Sequence, residues 1–109
     1  MFEADHIKYT CPVEALSSIL GKKWVPNLIW NIRDGKKRFG ELQREMEGCS
    51  KKMLTQQLEL LIENEIVINE KSNTNNVLES FYYLSEKGNT LLPIIEKMIL
   101  WGQENLICY

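Results

Sequence analysis

A pair of amphipathic segments joined by a tight turn constrains the fold of this chain more than any other feature. The first segment carries apolar residues at helical spacing from Phe39 to Met46, and the turn that follows contains Gly48. Ser50, a residue type that commonly caps helices, precedes a longer segment. Apolar residues recur there at positions 54, 58, 61 and 62, which is the buried stripe of an amphipathic helix. The pattern predicts a helix-turn-helix motif over about residues 39–64.

Two helices are predicted before this motif and a β-hairpin after it. Pro12 suits the first position of a helix, and Pro26 begins a second helix that ends near Gly35. After the motif, two runs rich in β-forming residues, 66–68 and 81–84, flank a polar stretch that is typical of a hairpin tip. We therefore expect a long hairpin, or wing, over about residues 66–84.

The end of the chain is predicted to form one helix, from about residue 87 to residue 106, with Ser85 as its cap. This order of elements predicts a winged helix-turn-helix fold, mostly α with a small β-hairpin wing, and so of the α+β class. A chain of 109 residues is long enough for one such domain and too short for two, so we expect a single domain over residues 1–109. The 44% of hydrophobic residues argues against disorder.

The charge is unevenly distributed along the chain. The net charge of −2 by itself argues against nucleic-acid binding. Residues 21–58, however, contain nine basic and four acidic residues, a net charge of +5, whereas the rest of the chain contains four basic and eleven acidic residues, a net charge of −7. This division favours a basic face that meets a polyanion, although a solvated surface of uneven charge explains the count equally well.

The outward face of the helix after Ser50 carries the groups expected of a DNA reader. At 100° per residue, Lys52 and Gln56 point away from the apolar stripe, with Thr55 on the flank and glutamates beyond the second turn. A helix that enters the major groove by its N-terminal end requires this order, because glutamates further forward would meet phosphates. Gln can pair with adenine, and Lys can reach guanine or phosphate.

Double-stranded DNA is therefore the expected partner. Two basic runs, 36–38 and 51–52, lie at helix N-termini, where cations are unfavourable for stability but well placed to bind anions. We expect Lys52, Thr55 and Gln56 to read bases. We expect phosphates to be held by Lys36, Lys37, Arg38 and Lys51. The alternative is that these lysines are merely solvated.

An ordered set of short motifs resembles a known family. The motifs are Cys11-Pro12-Val13-Glu14, Gly21-Lys22-Lys23-Trp24, Asp34-Gly35, Arg38-Phe39-Gly40-Glu41-Leu42, Ser50-Lys51-Lys52-Met53-Leu54-Thr55-Gln56-Gln57-Leu58, Leu84-Ser85-Glu86-Lys87-Gly88 and Trp101-Gly102. Together they cover roughly residues 9–105 and resemble the HxlR-type transcriptional regulators. The resemblance implies a bacterial winged-helix regulator that binds DNA as a homodimer, with the helix at 50–63 as the reader and the hairpin near 69–80 as the wing.

Two departures from the family pattern remove positive charge. A basic residue is usual at the position of Gln57, and Lys71 is the only cation of an Asn-rich wing where the family often has Pro and Arg. The full set of candidate DNA-contact residues is Lys36, Lys37, Arg38, Ser50, Lys51, Lys52, Thr55, Gln56, Gln57 and Lys71.

The predicted last helix is too apolar to be covered by one small domain. Its apolar residues span an arc of about 180°, whereas a surface helix needs a stripe of roughly 100°. A matching helix in a second subunit would cover the excess, so we expect a homodimer joined through its terminal helices. The candidate interface residues are Leu91, Leu92, Ile95, Met98, Ile99 and Trp101. Such a dimer predicts a pseudo-palindromic operator with half-sites roughly 34 Å apart, or a multiple of that.

Two of the three cysteines are candidate redox-sensing residues. Cys11 precedes Pro12 at a helix N-terminus, where the helix dipole favours the thiolate, although Glu14 opposes this effect. Some proteins of the family resemble redox or electrophile sensors that use a cysteine at this position, which implies sensing by Cys11. Cys108, near the C-terminus, is a candidate for cross-linking to Cys11 of a partner subunit. An inert, half-buried thiol is an equally good interpretation of Cys11.

Several classes of function are not expected. There is no C-x-x-C spacing, and His6 is the only histidine and is without an evident ligand set, so neither a metal nor a cofactor is predicted. There is no phosphate-binding loop, Ser-His-Asp set or G-x-S-x-G motif, so the chain is not expected to be an enzyme. Lacking an apolar span or a signal peptide, it is expected in the cytoplasm without a membrane partner.

Two other functions stay open at this point. The chain could be a winged-helix module that binds protein and has weak DNA binding, which the charge-poor wing favours. It could also be a sensor of an unknown effector that binds between the dimer helices.

Overall fold

The computed structural model describes residues 1–109 as six helices and five strands. The helices are α1 (Pro12–Leu20), α2 (Val25–Asn31), α3 (Phe39–Glu45), α4 (Lys51–Glu63), α5 (Glu86–Asn89) and α6 (Leu92–Asn105). The strands are β1 (Phe2–Ala4), β2 (Ile7–Tyr9), β3 (Lys37–Arg38), β4 (Val67–Thr74) and β5 (Val77–Leu84). The predicted winged helix-turn-helix of the α+β class is confirmed.

The helix-turn-helix motif consists of α3, a short turn and α4. Gly48 lies in the turn at φ 89°, a left-handed backbone conformation that glycine adopts at little cost. Ser50 then caps α4, because its side-chain oxygen accepts a hydrogen bond of 3.1 Å from the backbone N–H of Met53. Leu54, Leu58 and Leu61 are buried as predicted, and they hold α4 against the core. Ile62 is only half-buried, and Leu60 is buried in addition.

The wing is an antiparallel hairpin of β4 and β5, in register from Val67 opposite Leu84 to Thr74 opposite Val77. Its turn consists of Asn75 and Asn76, both at positive φ, as a two-residue hairpin turn requires. The short strand β3, which sequence patterning does not reveal, pairs with the other side of β5. Two residues are too few to show the alternation by which a strand is recognised.

Two further features differ from the sequence prediction. The N-terminus forms a hairpin, β1–β2, whose turn residues Asp5 and His6 both adopt positive φ. The helix predicted from about residue 87 to residue 106 is two helices, α5 and α6. Pro93 lies in the first turn of α6, where its missing N–H is tolerated, whereas a continuous helix would lose a hydrogen bond at this residue. Ser85 caps α5, accepting a hydrogen bond of 2.9 Å from the N–H of Gly88.

One apolar core joins these elements, and no charged or polar side chain is buried in it. Its most completely buried side chains are Leu28, Ile29, Ile32, Leu42, Leu54, Leu61, Ile95, Val25 and Val67. Ile95 corrects the sequence prediction, which placed this residue at a dimer interface. It is 1% exposed in the single chain, so it anchors α6 to its own subunit.

Candidate nucleic-acid interface

The first two turns of α4 present an exposed face without a carboxylate partner. Lys51, Lys52, Thr55 and Gln56 are all exposed, and neither lysine forms an ion pair. Thr55 Oγ1 donates a hydrogen bond of 2.9 Å to the carbonyl of Lys51, which leaves its methyl group and a lone pair free to contact a ligand. Acidic residues appear on this helix only from Glu59 onward. The structure therefore brings four of the candidate residues together on one cationic surface.

Ser50 and Gln57 are placed differently from that group. The Ser50 hydroxyl oxygen is occupied by the capping hydrogen bond from Met53. Gln57 is half-buried, and its Nε2 lies 3.3 Å from the Met53 sulfur while its Oε1 is buried without a hydrogen-bond partner. Its amide therefore packs at the edge of the buried stripe, beside the exposed face.

Each of the three basic residues at 36–38 is paired with a carboxylate. Lys36 pairs with Glu70 of β4. Lys37 Nζ lies 2.5 Å from Glu45 Oε1 at the end of α3, and Arg38 Nη2 lies 3.1 Å from Glu79 Oε1 of β5. The hydrogen bond to Glu70 raises the pKa of Lys36, and the hydrogen bond to Glu45 raises the pKa of Lys37. Much of the positive charge that the sequence assigns to phosphate binding is therefore offset within the fold.

Aromatic residues of β5 also hold two of these cations. The Lys36 ammonium lies 5.3 Å from the centre of the Tyr83 ring, and the Arg38 guanidinium lies 5.3 Å from that of Phe81. Both contacts arise because β3 pairs with β5. Lys36, which directly precedes β3, and Arg38 of β3 are thus held on the wing sheet at the N-terminal end of α3.

Two further exposed cations lie on the wing and on the first helix of the helix-turn-helix. Lys71 is exposed on β4, opposite Ser80 in the register of the wing. Arg44, which is not among the residues predicted from the sequence to contact DNA, is exposed in the last turn of α3 and forms no ion pair. Arg44 belongs to the basic stretch 21–58, which is the one sequence feature that points to it. Only the folded structure shows that Arg44 has no carboxylate partner, whereas the cations at 36–38 do.

An exposed apolar face lies on α6 and continues onto α1. Met98 is 46% and Trp101 is 61% exposed, and Ile94 beside them is 42% exposed. Val13 of α1 is 69% exposed and lines a groove between the two helices together with Ile94 and Met98. Leu91, Leu92 and Ile99, also candidates for the interface, are half-buried against the core.

The cysteines are all free in the single chain. Cys11 is half-buried at the N-cap of α1 and makes no capping hydrogen bond through its side chain. Cys49 is half-buried in the turn of the helix-turn-helix, and removal from water raises the pKa of its thiol. Cys108 is exposed beyond the end of α6.

His6 has acidic neighbours that the sequence did not indicate. Its Nε2 lies 3.8 Å from Glu63 Oε2 at the end of α4, and with Asp5 these residues place three possible ligand atoms within 4.8 Å of one another. None of the helices combines the length and the apolar character needed to cross a membrane.

Comparison with known proteins identifies the family. The model of the HxlR-like helix-turn-helix family matches residues 19–108. The regulatory protein MalR of Fusobacterium mortiferum is 41% identical over 99 residues, which is 90% of this chain and 92% of that protein. The HTH-type transcriptional regulator YodB of Bacillus subtilis is 36% identical over 95 residues, 86% of this chain and 84% of YodB.

Solved structures agree with this match. The redox regulator HypR in its oxidized form superposes with a TM-score of 0.82 at 38% identity, over 90% of this chain and 100% of that one. The reduced form of YodB superposes with a TM-score of 0.78 at 33% identity, over 90% of this chain and 96% of YodB. The family consists of DNA-binding transcriptional regulators, not enzymes, as the sequence predicted. The chain therefore belongs to the HxlR-like helix-turn-helix family of transcriptional regulators.

Proposed function

We propose that this protein acts as a homodimer on a pseudo-palindromic operator and reads it with the N-terminal half of α4. The observation that carries the proposal is the exposed face of Lys51, Lys52, Thr55 and Gln56, which has no carboxylate partner and precedes the acidic part of the helix. An α-helix fits the major groove of B-DNA. There a lysine can bind guanine and a glutamine can bind adenine by their exposed base edges.

The position and charge of each exposed side chain determine whether it reads bases or holds phosphates. Lys52, Thr55 and Gln56 lie on the outward face and read bases, whereas Lys51 and Arg44 at the edges of the motif hold phosphates. Lys71 on the wing contacts the neighbouring backbone. The cations at 36–38 contribute phosphate contacts only to the extent that DNA displaces their carboxylate partners, Glu45, Glu70 and Glu79.

The exposed apolar face of α6 and α1 supports the dimer. Trp101, Met98, Ile94 and Val13 leave several large apolar side chains exposed to water on one face, as protein interaction surfaces do. A second copy that packs the same face about a two-fold axis would bury this surface. Two reading helices would then face successive major grooves, roughly 34 Å apart or a multiple of that.

Selection of binding sites from random duplex DNA, using the intact protein, tests this proposal. We expect an inverted repeat. The variant pair Lys52→Ala and Gln56→Ala should relax the preference at two or three positions of each half-site, at about 1–3 kcal/mol per lost base contact. Lys51→Ala should weaken binding evenly across sequences, and Lys97→Ala, which removes an exposed lysine of α6, serves as the control. An unchanged sequence preference in the Lys52 and Gln56 variants would refute the assignment of α4.

We also propose that DNA binding responds to thiol oxidation through Cys11. Its position at the N-cap of α1, beside the exposed apolar face, supports this role, as does the similarity to HypR, which is described as a redox regulator. Oxidation would join Cys11 to Cys108 of the partner subunit. Two thiols then lose two protons and two electrons to an oxidant such as diamide, which becomes the hydrazine, and one S–S bond forms.

Gel-shift titrations before and after diamide treatment test the redox proposal. We expect treatment to change the DNA affinity of the wild-type protein and of Cys49→Ser, but not that of Cys11→Ser. A dimer held by a disulfide should appear on non-reducing gels and be absent from Cys11→Ser and Cys108→Ser. Identical affinities of the wild-type protein before and after treatment would contradict the proposal.

A further inference from the structure

An apolar cavity of about 280 Å³ lies beneath the N-terminal hairpin, on a part of the molecule distinct from the proposed DNA surface. Phe2 and Ala4 of β1 form one wall, Ala15 and Ile19 of α1 form another, and Leu91 contributes from the segment before α6. We call this cavity the hairpin pocket. Its mostly hydrophobic lining with a few polar groups is typical of a site for a small organic molecule.

A second cavity, of about 250 Å³, adjoins the hairpin pocket and has no hydrophobic lining. Four of its lining residues are acidic, against one lysine and one histidine: Glu3, Asp5, Glu63, Glu65, Lys87 and His6. With His6 neutral, the charged side chains sum to −3. We call it the acidic cavity. The two cavities share Glu3, Asn64 and Lys87, so an apolar space opens directly onto a strongly negative one.

The polar groups at the junction are already engaged within the fold. Lys87 Nζ donates a hydrogen bond of 3.2 Å to the carbonyl of Asn64. The Asn64 side chain accepts a hydrogen bond of 2.9 Å from the N–H of Asp5 and donates one of 2.8 Å to the carbonyl of Leu60. At the junction itself this leaves the Glu3 carboxylate, which forms no ion pair within the chain, to meet a ligand. The carboxylates of Asp5, Glu63 and Glu65 line the acidic cavity beyond it.

We propose that the two cavities together bind a small organic cation, with its apolar body in the hairpin pocket and its ammonium group in the acidic cavity. Burial of the apolar body supplies the hydrophobic part of the binding free energy. The carboxylates attract the cation and repel an anion of the same shape, and the open mouth of the acidic cavity keeps the charged head partly hydrated, which limits its desolvation. Charge thus selects the ligand class, and the apolar volume limits its size.

This binding site is separate from the proposed DNA-contact residues, but two of its walls belong to elements that the DNA-binding proposal uses. The cavity walls include α1, which carries part of the exposed apolar face, and Asn64 and Ile66, which directly follow α4. A bound cation would therefore bridge the N-terminal hairpin to the end of the reading helix.

Calorimetric titration of the intact protein with (2-naphthylmethyl)trimethylammonium tests the proposal, with 2-naphthalenesulfonate as a ligand of the same ring and opposite charge. We expect saturable binding of the cation at one site per chain, about ten-fold or more tighter than the sulfonate, and weaker as salt rises. The double variant Glu3→Gln and Glu63→Gln should lose most of this preference. Glu47→Gln removes an exposed carboxylate that lines neither cavity and lies in the turn of the helix-turn-helix, so this variant should retain the preference for the cation.

A second variant tests the apolar part of the site. Phe2 is 49% exposed, so Phe2→Ala should fold normally, yet it should weaken binding of the cation by removing one wall of the hairpin pocket. Equal affinities for cation and sulfonate, or no saturable binding at millimolar concentration, would overturn the proposal. Because the readout is ligand binding in the absence of DNA, these outcomes are independent of whether α4 reads an operator.

Discussion

Arg38 and Glu79 form an ion pair, with 3.1 Å between Nη2 and Oε1, that ties β3 to the wing strand β5. Lys36 and Glu70 form a second ion pair of the same type. Two cations at the start of the helix-turn-helix therefore face two carboxylates of the wing. Basic residues of the type that binds phosphate are thus paired with the protein's own acidic side chains. The wing therefore offsets the positive charge of this surface through Glu70 and Glu79 more than it adds to that charge through Lys71.

Removal of the Glu79 carboxylate from the wing should strengthen DNA binding. Glu79→Gln frees the Arg38 guanidinium and removes a negative charge from the DNA side, so we expect affinity to rise by about two- to five-fold at low salt, with a smaller gain at high salt. Fluorescence anisotropy titration at two salt concentrations measures this. Glu104→Gln, which removes an exposed carboxylate near the end of α6, should not change the affinity. A Glu79→Gln protein that binds DNA more weakly than wild type would show that the ion pair supports the DNA-binding conformation.

Ile95 and Trp101 should separate subunit stability from dimerisation. Ile95 is 1% exposed, so Ile95→Ala should lower the free energy of unfolding by about 2–5 kcal/mol. Trp101 is 61% exposed in the single chain, so Trp101→Ala should leave the helical content unchanged but shift the protein toward monomer. Circular dichroism and sedimentation velocity distinguish the two effects. If Trp101→Ala remains as dimeric as wild type, this face of α6 is not the interface.

Gly88 should tolerate no side chain. A Cβ at this position would lie 2.2 Å from the backbone carbonyl oxygen of Ile66, which cannot move aside without disturbing β4. We expect Gly88→Ala to lower the free energy of unfolding by about 1–3 kcal/mol. Gly40→Ala is the matched control, because its Cβ would meet no atom closer than 3.9 Å and helix propensity favours alanine. Urea denaturation of both variants measures the difference, and equal stabilities would contradict the close approach of α5 to Ile66, the residue before β4.

The cysteines should react with alkylating reagents at different rates. Burial raises the pKa of Cys49 above the ordinary value of 9.0, so its thiolate fraction at neutral pH is small and increases only at more alkaline pH than for an ordinary thiol. Cys108 is exposed and accessible. We expect iodoacetamide at pH 7.5 to label Cys108 well before Cys49, as followed by mass spectrometry of the digested protein. Equal labelling rates would mean that the turn of the helix-turn-helix opens readily in solution.

Local patterns account for the parts of the fold that the sequence predicted. Ser50 caps α4 through an N–H only three residues away, and the leucines of α4 mark its buried face by their spacing. The wing could be predicted in the same way, from two β-rich runs and a polar turn at Asn75 and Asn76. The β1–β2 hairpin escaped prediction because its strands have three residues each, too short for a visible period.

The sequence alone determined the family, the order of the main elements and the polarity of α4, because each depends on residues that are neighbours along the chain. Tertiary structure alone decided which cations are free. Lys36 and Glu70 are 34 residues apart and Arg38 and Glu79 are 41 apart, and they meet only because β3 pairs with β5. Likewise Glu3, Asn64 and Lys87 converge on one pair of cavities. Ile95 belongs to the core and Trp101 to the surface for the same reason: packing of α6 against the core selects which side of an apolar helix is covered.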